Sequence, residues 1–279
     1  FDTLTQEERD AGIVLACQAR AQSDMLIEPL AEIDDSVTHH PMRDVSGRIA
    51  VLEDIARDTR RLVIELDAEM PFLAGQYAEL NVPGTDVWRQ YSMANAPSET
   101  RRLEFHIKRT PGGLATDGWL FKSASVGDQV DMKGPLGNFG LFEAQDDPAI
   151  LIAGGTGLAP MKSIVLHALA HDLIPEIFLY HGGRAQADLY DVDCFRALDA
   201  EHPRFHYRPC LSEEAWQERS GMVTDCVLED FSSCKGMSAY LCGPPAMVEA
   251  AGKALKRRRL PPRRTFKEEF TEAAKIAAE

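Results

Sequence analysis

The sequence has few cysteines, a deficit of basic residues and no long apolar run. Its six cysteines lie far apart among 279 residues and form no C-x-x-C pair. A disulfide framework is therefore not indicated, and we interpret them as thiols. No apolar run reaches the roughly 20 residues that a membrane-spanning helix needs, and no basic segment followed by an apolar stretch opens the chain. We therefore expect a soluble, cytoplasmic chain that does not bind membranes.

Acidic residues outnumber basic ones. The 44 Asp and Glu against 30 Lys and Arg give a net charge of −14. This excess argues against nucleic acid as a partner, because it repels a phosphate backbone. A hydrophobic share of 44% can form a sizeable core. One domain averages roughly 100 to 200 residues, so the length predicts two domains and a short extra segment.

The first half of the chain has the pattern of an antiparallel barrel. Polar residues and a proline at 34–46 predict a linker that follows a short segment, 1–33. Runs of β-forming residues separated by turn residues follow, together with one expected helix at 113–124. The predicted strands cover 47–56, 61–67, 77–83, 88–94, 103–109 and 128–134.

The second half alternates apolar strands with helices, which predicts βαβ units and a parallel sheet. In its first helix Met161, Ile164, Val165, Ala168 and Leu169 fall on one face at helical spacing. The predicted strands cover 149–154, 176–181, 205–210 and 238–242, and the predicted helices cover 160–171, 192–202 and 245–259.

A glycine-rich turn follows the first of these strands. In ILIAGGTGLAPMKS the residues Gly155, Thr156 and Gly157 stand between the strand and a helix that opens near Pro160. Glycines let a pyrophosphate approach the backbone, and the first helical turn favours its negative charge. The match to G-x-G-x-x-G is imperfect, so the alternative is a turn that binds no ligand.

A second turn of this kind occurs in AYLCGPPAMV, where Cys242, Gly243 and Pro244 stand between a strand and a helix. Ligands of open parallel sheets bind beyond the carboxyl ends of the strands, so both turns are expected to face one crevice. The alternative for Cys242 is a small buried side chain, since most free cysteines are of that kind.

A polar string, Arg89-Gln90-Tyr91-Ser92, lies on a predicted strand of the barrel half. Alternation along a strand places Arg89 and Tyr91 on one face and Ser92 on the other. The arginine offers a planar fork for phosphate, the tyrosine an aromatic face and the serine a hydroxyl. Taken alone, the string is also consistent with a purely structural role.

The order of the motifs resembles that of the ferredoxin-NADP reductase superfamily. An R-x-Y-S strand is followed by Gly113-Leu114-Ala115-Thr116, then by GGTG and CGPP, and the resemblance covers nearly all of residues 47–270. It implies an antiparallel Greek-key FAD-binding barrel at 47–143. It also implies a parallel-sheet NAD-binding domain at 144–279 that ends in a flavin-proximal segment.

The resemblance also implies roles for single residues. Ser92, Cys242 and Phe270 would lie nearest the reacting atoms, with Phe266 as the alternative to Phe270. The FAD would be bound by Arg89, Tyr91, Ser92, His106, Ile107, Lys108, Gly113, Thr116 and Phe270. The nicotinamide dinucleotide would be bound by Gly155, Thr156, Gly157, Arg184, Cys242, Gly243 and Pro244.

The first residues resemble the end of a plant-type ferredoxin, a β-grasp domain, in which L-A-C-Q carries the last cluster cysteine. Cys17 is therefore the candidate metal ligand. A 2Fe-2S cluster needs four thiolates, and residues 1–16 contain no cysteine. The cluster is expected only if three more cysteines precede this segment. The alternative is a buried cysteine in a short helix.

The function implied is that of a flavin-dependent NADH oxidoreductase. FAD would take a hydride and pass electrons singly through a 2Fe-2S cluster to an aromatic-ring or hydrocarbon oxygenase component or its ferredoxin. The alternatives are a stand-alone NAD(P)H-flavin or cytochrome reductase without a cluster, and a non-catalytic nucleotide-binding subunit. We expect a monomer. Glu213 and Glu214 favour NADH over NADPH, whereas Arg184 could reverse that preference.

Overall fold

The computed structural model describes residues 4–14, 22–26, 28 and 39–271. It divides into two compact units, Phe1–Val37 and Thr38–Glu279. Cys17 lies outside the described residues. Its assignment as a cluster ligand, and that of residues 1–33 as the end of a ferredoxin-like domain, therefore stay predictions.

The described residues of the first unit include a short helix, α1 (Gln6–Asp10), which begins with a capping box. The Thr5 hydroxyl accepts a hydrogen bond from the Glu8 backbone N–H at 3.3 Å, and the Glu8 carboxylate accepts one from the Thr5 N–H at 2.7 Å. Two N–H groups that the first helical turn leaves free are satisfied in this way.

The second unit begins with a six-stranded antiparallel sheet in the order β4-β3-β6-β1-β2-β5. The outer strands β4 and β5 are joined by a bridge between Met93 and Phe105, so the sheet closes into a barrel. Alternate side chains, among them Ile64, Leu80 and Phe105, are fully buried inside it. The strands are β1 (Arg43–Ala56), β2 (Thr59–Leu66), β3 (Tyr77–Asn81), β4 (Trp88–Ser92), β5 (Arg102–Lys108) and β6 (Gln129–Leu136).

The predicted linker extended too far. Its last four residues belong to β1, which begins at Arg43 and pairs antiparallel with β6 from Arg43 opposite Gly134 to Arg48 opposite Gln129. The polar composition of this segment concealed the strand, because its ladder partner lies more than 80 residues further along the chain.

The helix predicted at 113–124 is wrong in extent. Only Thr116–Leu120 is helical, as a single π-type turn. Side chains at its start bond to the preceding backbone, with the Thr116 hydroxyl accepting from the Thr110 N–H at 3.2 Å and Asp117 accepting from the Gly112 N–H at 2.7 Å. Such local bonds compete with helix formation.

A six-stranded parallel sheet with the order β10-β9-β8-β7-β11-β12 completes the second unit, and helices connect most of its strands. The expected barrel and α/β architecture is confirmed. Its strands are β7 (Ala149–Gly154), β8 (Ile177–Gly183), β9 (Phe205–Leu211), β10 (Arg219–Ser220), β11 (Ser238–Gly243) and β12 (Thr265–Glu269). The helices are α2 (Leu158–His171), α3 (Val192–Glu201), α4 (Val223–Asp230) and α5 (Pro245–Arg257).

Three of these elements were not predicted. Both β10 and α4 lie in the polar stretch between β9 and β11, and β12 is an exposed edge strand that pairs parallel with β11. The predicted apolar face of α2 is confirmed, since its five residues are buried. Within the part of the chain that the structure describes, every helix is too short or too polar to cross a membrane.

Candidate functional site

The two glycine-rich turns touch each other at the carboxyl ends of the neighbouring strands β7 and β11. A Cβ atom on Gly157 would overlap the carbonyl oxygen of Cys242 and lie 2.8 Å from the Gly243 nitrogen. A Cβ atom on Gly243, which has φ +147°, would lie 2.8 Å from the Gly154 carbonyl oxygen. Only glycines allow the two backbones to approach this closely.

The first turn leaves open space above its backbone. Gly155 is exposed, has φ +57°, and a Cβ atom there would meet no atom within 4 Å. Gly155–Gly157 form a single 3₁₀ turn that leads directly into α2. Tyr190 orients this turn by donating a hydrogen bond from its hydroxyl to the Gly155 carbonyl at 3.1 Å. The arrangement fits a pyrophosphate on the N-terminus of α2.

The second turn lies beside the end of the described chain. Phe270 donates a backbone hydrogen bond to the Gly243 carbonyl at 2.9 Å, and its half-buried ring packs against the core that contains Cys242. Phe266 instead stacks on Tyr240, with ring centroids 4.9 Å apart. The turn itself ends at Pro244, the N-cap of α5.

The Cys242 thiol is fully buried. Burial, with a smaller effect of the Glu268 carboxylate, raises the pKa of Cys242 well above its usual value. The group therefore remains a neutral thiol at physiological pH, and it is not an activated nucleophile.

On the barrel, Arg89, Tyr91 and Ser92 lie on the edge strand β4. Within the described residues the Arg89 guanidinium has no acidic partner and donates only to the Trp88 carbonyl at 2.9 Å. Ser92 is buried, and its hydroxyl has no hydrogen-bond partner among the described residues. Burial raises the pKa of Tyr91 to about 12, so its hydroxyl stays protonated. Two polar groups in this row thus remain available to a ligand.

The three residues of β5 that were predicted to border the flavin have different surroundings. Ile107 belongs to the barrel core, so only its backbone can reach a ligand. Lys108 is exposed and donates to the Arg57 carbonyl at 3.1 Å. His106 is buried and contacts Tyr190 edge-on, with ring centroids 4.9 Å apart, and its Nδ1 atom has no hydrogen-bond partner among the residues that the structure describes.

The loop before the π-type turn uses its own side chains for internal bonds. The Thr116 hydroxyl donates to the Thr110 carbonyl at 2.9 Å, and a Cβ atom on Gly113 would lie 2.7 Å from the Thr116 Oγ1 atom. The threonine side chain therefore shapes this loop, and Gly113 keeps the space that the threonine needs.

Arg184 is exposed at the end of β8, and its Nε atom lies 3.9 Å from an oxygen of Asp188. The adjacent acidic segment is ordered by Gln186, whose backbone and side chain donate to the Glu214 carboxylate at 2.8 and 2.7 Å. Arg184 and Glu214 therefore lie close together beyond the carboxyl ends of β8 and β9.

The structure also contains a charged cluster that sequence reasoning did not find. Lys162 of α2 bonds to Glu104 of β5 at 2.8 Å and to Asp191, before α3, at 2.7 Å. Arg61 of β2 pairs with the same two carboxylates, and His106 bonds to Glu104 at 2.7 Å. One signal was present in the sequence, since Lys162 is the only Lys, Arg, Asp or Glu in α2.

Burial and charge determine the protonation of this cluster. Burial alone would raise the pKa of Glu104, but the His106 hydrogen bond and the Lys162 charge outweigh it and lower that pKa. Burial opposes the charge on Lys162, yet Glu104 and Asp191 raise its pKa. Burial lowers the pKa of His106. The cluster therefore holds an ionised Glu104 carboxylate beside the Lys162 ammonium and a neutral His106 imidazole.

Comparison with known proteins gives the family. Residues 46–141 match the oxidoreductase FAD-binding domain, and residues 151–253 match the oxidoreductase NAD-binding domain. The chain belongs to the ferredoxin reductase superfamily. It is thus an oxidoreductase with an FAD-binding barrel and an NAD-binding domain.

This superfamily member has similar relatives along almost its whole length. It is 49% identical to the aromatic O-demethylase reductase subunit of Amycolatopsis sp., covering 98% of this chain and 82% of that one. It is 40% identical to the phenol 2-monooxygenase reductase component DmpP of Pseudomonas sp., covering 99% and 79%. The crystal structure of the Amycolatopsis cytochrome P450 reductase GcoB superimposes with a TM-score of 0.91 at 49% identity, covering 97% and 82%.

The residues of this superfamily member fit both cofactors of its domains. Among the described residues, the Arg89 guanidinium has no acidic partner and the Ser92 hydroxyl has no hydrogen-bond partner, so both groups can bind a flavin nucleotide. At the other domain, Gly155 forms an open cradle in front of α2.

Proposed function

We propose that the protein is the reductase component of an oxygenase system, which oxidises NADH with bound FAD. Bound FAD accepts a hydride and releases electrons one at a time, which is chemistry that the protein itself cannot supply. The contact between the Gly157 turn and the Cys242 turn carries the proposal. This contact brings the open Gly155 turn and the buried Cys242 thiol together at the carboxyl end of the parallel sheet.

The barrel residues would orient the flavin. Arg89 would bind its pyrophosphate, Tyr91 would lie against its ring, and Ser92 would donate a hydrogen bond near the reacting nitrogen. The backbone of Ile107 and the Gly113 loop would border it, with Thr116 holding the loop in shape. Protein groups of this kind act by fixing the geometry of hydride transfer.

The NAD-binding domain would present the nicotinamide. Gly155, Thr156 and Gly157 would bind the dinucleotide pyrophosphate, and the second turn, from Cys242 to Pro244, would border the nicotinamide with a neutral surface. Phe270 would cover the flavin ring. Such a covering ring excludes water from the reacting atoms.

We further propose that the electrons leave through a 2Fe-2S cluster, with Cys17 as one ligand, to an aromatic-ring or hydrocarbon oxygenase component. Support comes from the relatives, which are reductase components of an aromatic O-demethylase and a phenol monooxygenase. The test is iron and acid-labile sulfide analysis of the full-length protein. Two irons and two sulfides per FAD are expected, and none would favour a flavin or cytochrome reductase without a cluster.

NADH is the proposed reductant. The acidic segment adjoins Arg184, because Glu213 donates its backbone N–H to the Arg184 carbonyl at 2.9 Å, and Glu213 and Glu214 would repel a 2′-phosphate bound there. The ratio of kcat/KM for NADH to that for NADPH tests this, and we expect at least about tenfold preference for NADH, since a close like-charge pair disfavours binding. A ratio below one would reverse the assignment and leave Arg184 as the phosphate ligand.

A further inference from the structure

One loop of the NAD-binding domain rests on the barrel at two places. We call residues 184–191 the docking loop. Near its middle, Arg57 of the barrel pairs with Asp188 at 2.9 Å and donates its backbone N–H to the Ala187 carbonyl at 2.8 Å. At its end, Asp191 pairs with Arg61 of β2. The docking loop therefore crosses the boundary between the two domains.

Lys162 joins the two domains through a single ammonium group. Its Nζ atom contacts Glu104 of the barrel and Asp191 of the docking loop, and its side chain is only 10% exposed. Replacing a buried ion pair by apolar groups is often neutral for stability. The main physical effect of such an ion pair is to fix the relative position of the groups that it joins.

The backbone of Asp191 has an unusual conformation that serves this contact. It has φ +54°, in the left-handed region that few residues other than glycine adopt. It is also the N-cap of α3, where an aspartate ordinarily accepts a hydrogen bond from its own helix. No such bond forms, because the carboxylate is turned toward Lys162 and Arg61.

The neighbouring Tyr190 connects the docking loop to the dinucleotide turn. Its hydroxyl donates to the Gly155 carbonyl at 3.1 Å, and the edge of its ring meets His106 of β5 at 4.9 Å between centroids. Two adjacent residues of one loop thus contact the expected pyrophosphate turn and the barrel strand that borders the flavin.

We propose that Lys162, Asp191 and Glu104 are positioning residues that hold the nicotinamide at hydride-transfer distance from the flavin. This inference rests on the proposed function. We call these three residues the clamp. They set the spacing of the two domains, and Tyr190 holds the expected pyrophosphate turn at a fixed position relative to them.

The kinetic test compares the Lys162→Met variant with wild type in anaerobic stopped flow. The methionine keeps an apolar stem in the buried site but cannot join the two carboxylates. We expect the limiting rate of flavin reduction at saturating NADH to fall at least about tenfold, because a displacement on the order of 1 Å can lower a rate about 100-fold. Reduction by dithionite, which does not need the NAD-binding domain, should be unchanged.

The control is Lys253→Met. Lys253 pairs with Glu249 on the exposed face of α5, at 2.6 Å and within one element. This variant loses the same charge without touching the domain boundary, so its kinetics should match those of wild type. Asp191→Asn is the second test variant, since asparagine tolerates the left-handed conformation and removes only the charge.

A distance measurement gives a readout independent of turnover. Spin labels at the exposed positions Val126 of the barrel and Met222 of the NAD-binding domain would be introduced by Val126→Cys and Met222→Cys, in a Cys194→Ser background that removes the exposed thiol of the described residues. Wild type and Lys253→Met should give one narrow distance distribution. Lys162→Met and Asp191→Asn should broaden or shift it.

The outcomes separate this inference from the proposed function. An unchanged distance distribution in both test variants would overturn the inference whatever their rates, as would limiting rates within twofold of wild type. If wild-type protein loaded with FAD is not reduced by NADH, the proposed function fails, while the distance measurement still decides whether the clamp exists. Should Lys162→Met fail to fold, Asp191→Asn decides alone.

Discussion

Single residues with no room for change lie where the two glycine-rich turns meet. Gly157 is closed in by the Cys242 carbonyl, whereas Gly155, two residues earlier, has open space above it. Both glycines could be identified from the sequence, because glycine is the residue type that allows close backbone approach and positive φ angles. Sequence reasoning could not tell that Gly157 makes the turn-to-turn contact while Gly155 stays open, since that depends on the packing of β7 beside β11.

Gly157→Ala is predicted to separate the two turns. The added methyl group would overlap backbone atoms that cannot move freely, and overpacking of this kind costs about 1 to 3 kcal/mol. We expect NADH affinity to fall at least about tenfold, measured by titration of the flavin-loaded protein.

Gly252→Ala is the matched control within the same domain. The added Cβ atom would meet only the flexible end of Lys267, 2.8 Å from Nζ, and alanine favours the helix by up to about 1 kcal/mol. The control should bind NADH normally. Equal affinities in the two variants would contradict the turn-to-turn geometry.

His181 makes stability depend on pH. It is fully buried at the end of β8, its Nδ1 atom is 2.9 Å from the Tyr207 hydroxyl, and burial lowers its pKa from 6.5 to about 4. Between these values the unfolded chain binds a proton that the folded chain does not. The protonation difference at His181 therefore has no effect on the free energy of unfolding above about pH 6.5. It lowers that free energy increasingly as the pH falls toward 4.

The measurement is the free energy of unfolding of wild type and His181→Gln at pH 7.5 and pH 5. Glutamine does not titrate, so wild type should lose about 2 kcal/mol more than the variant over this interval. Equal losses would show that the imidazole is protonated in the folded protein.

At the scale of elements, long periodic segments were predictable and short or exposed ones were not. The strand β7 was predictable from its continuous apolar run, since it is buried on both faces, and α2 was predictable from apolar residues at helical spacing. The strand β12 has a mostly exposed pattern, so its sequence contains no such signal, and only its pairing with β11 makes it a strand. The helix predicted at 113–124 was too long because bonds between the side chains of Thr116 and Asp117 and the preceding backbone compete with helix formation at its start.

The two phenylalanines at the ends of β12 are predicted to have separate roles. Phe266→Ala removes a stacked pair with Tyr240, and such pairs contribute about 0.5 to 1.5 kcal/mol. We expect this variant to lower the free energy of unfolding and to leave flavin reduction unchanged. Phe270→Ala, next to the Gly243 carbonyl, should change the limiting rate of flavin reduction by NADH with little change in stability. The reverse pattern would make Phe266 the flavin-facing ring.

At the scale of the whole molecule, the function depends on how the barrel meets the parallel sheet. Both architectures could be read from the sequence, and the family confirms them. The clamp could not be predicted, because Glu104, Lys162 and Asp191 are distant in sequence and each alone looks like an ordinary charged residue. Lys162 was the one signal, as the only Lys, Arg, Asp or Glu in α2. Its significance depends on carboxylates contributed by two other elements.

The most direct test of the account is the anaerobic absorbance spectrum of the protein after loading with FAD and removal of the excess. The account predicts that the flavin stays bound, that one equivalent of NADH bleaches its visible bands, and that Gly157→Ala needs more NADH to do so. Protein that retains no flavin, or whose bound flavin is unaffected by NADH yet bleached by dithionite, would contradict it.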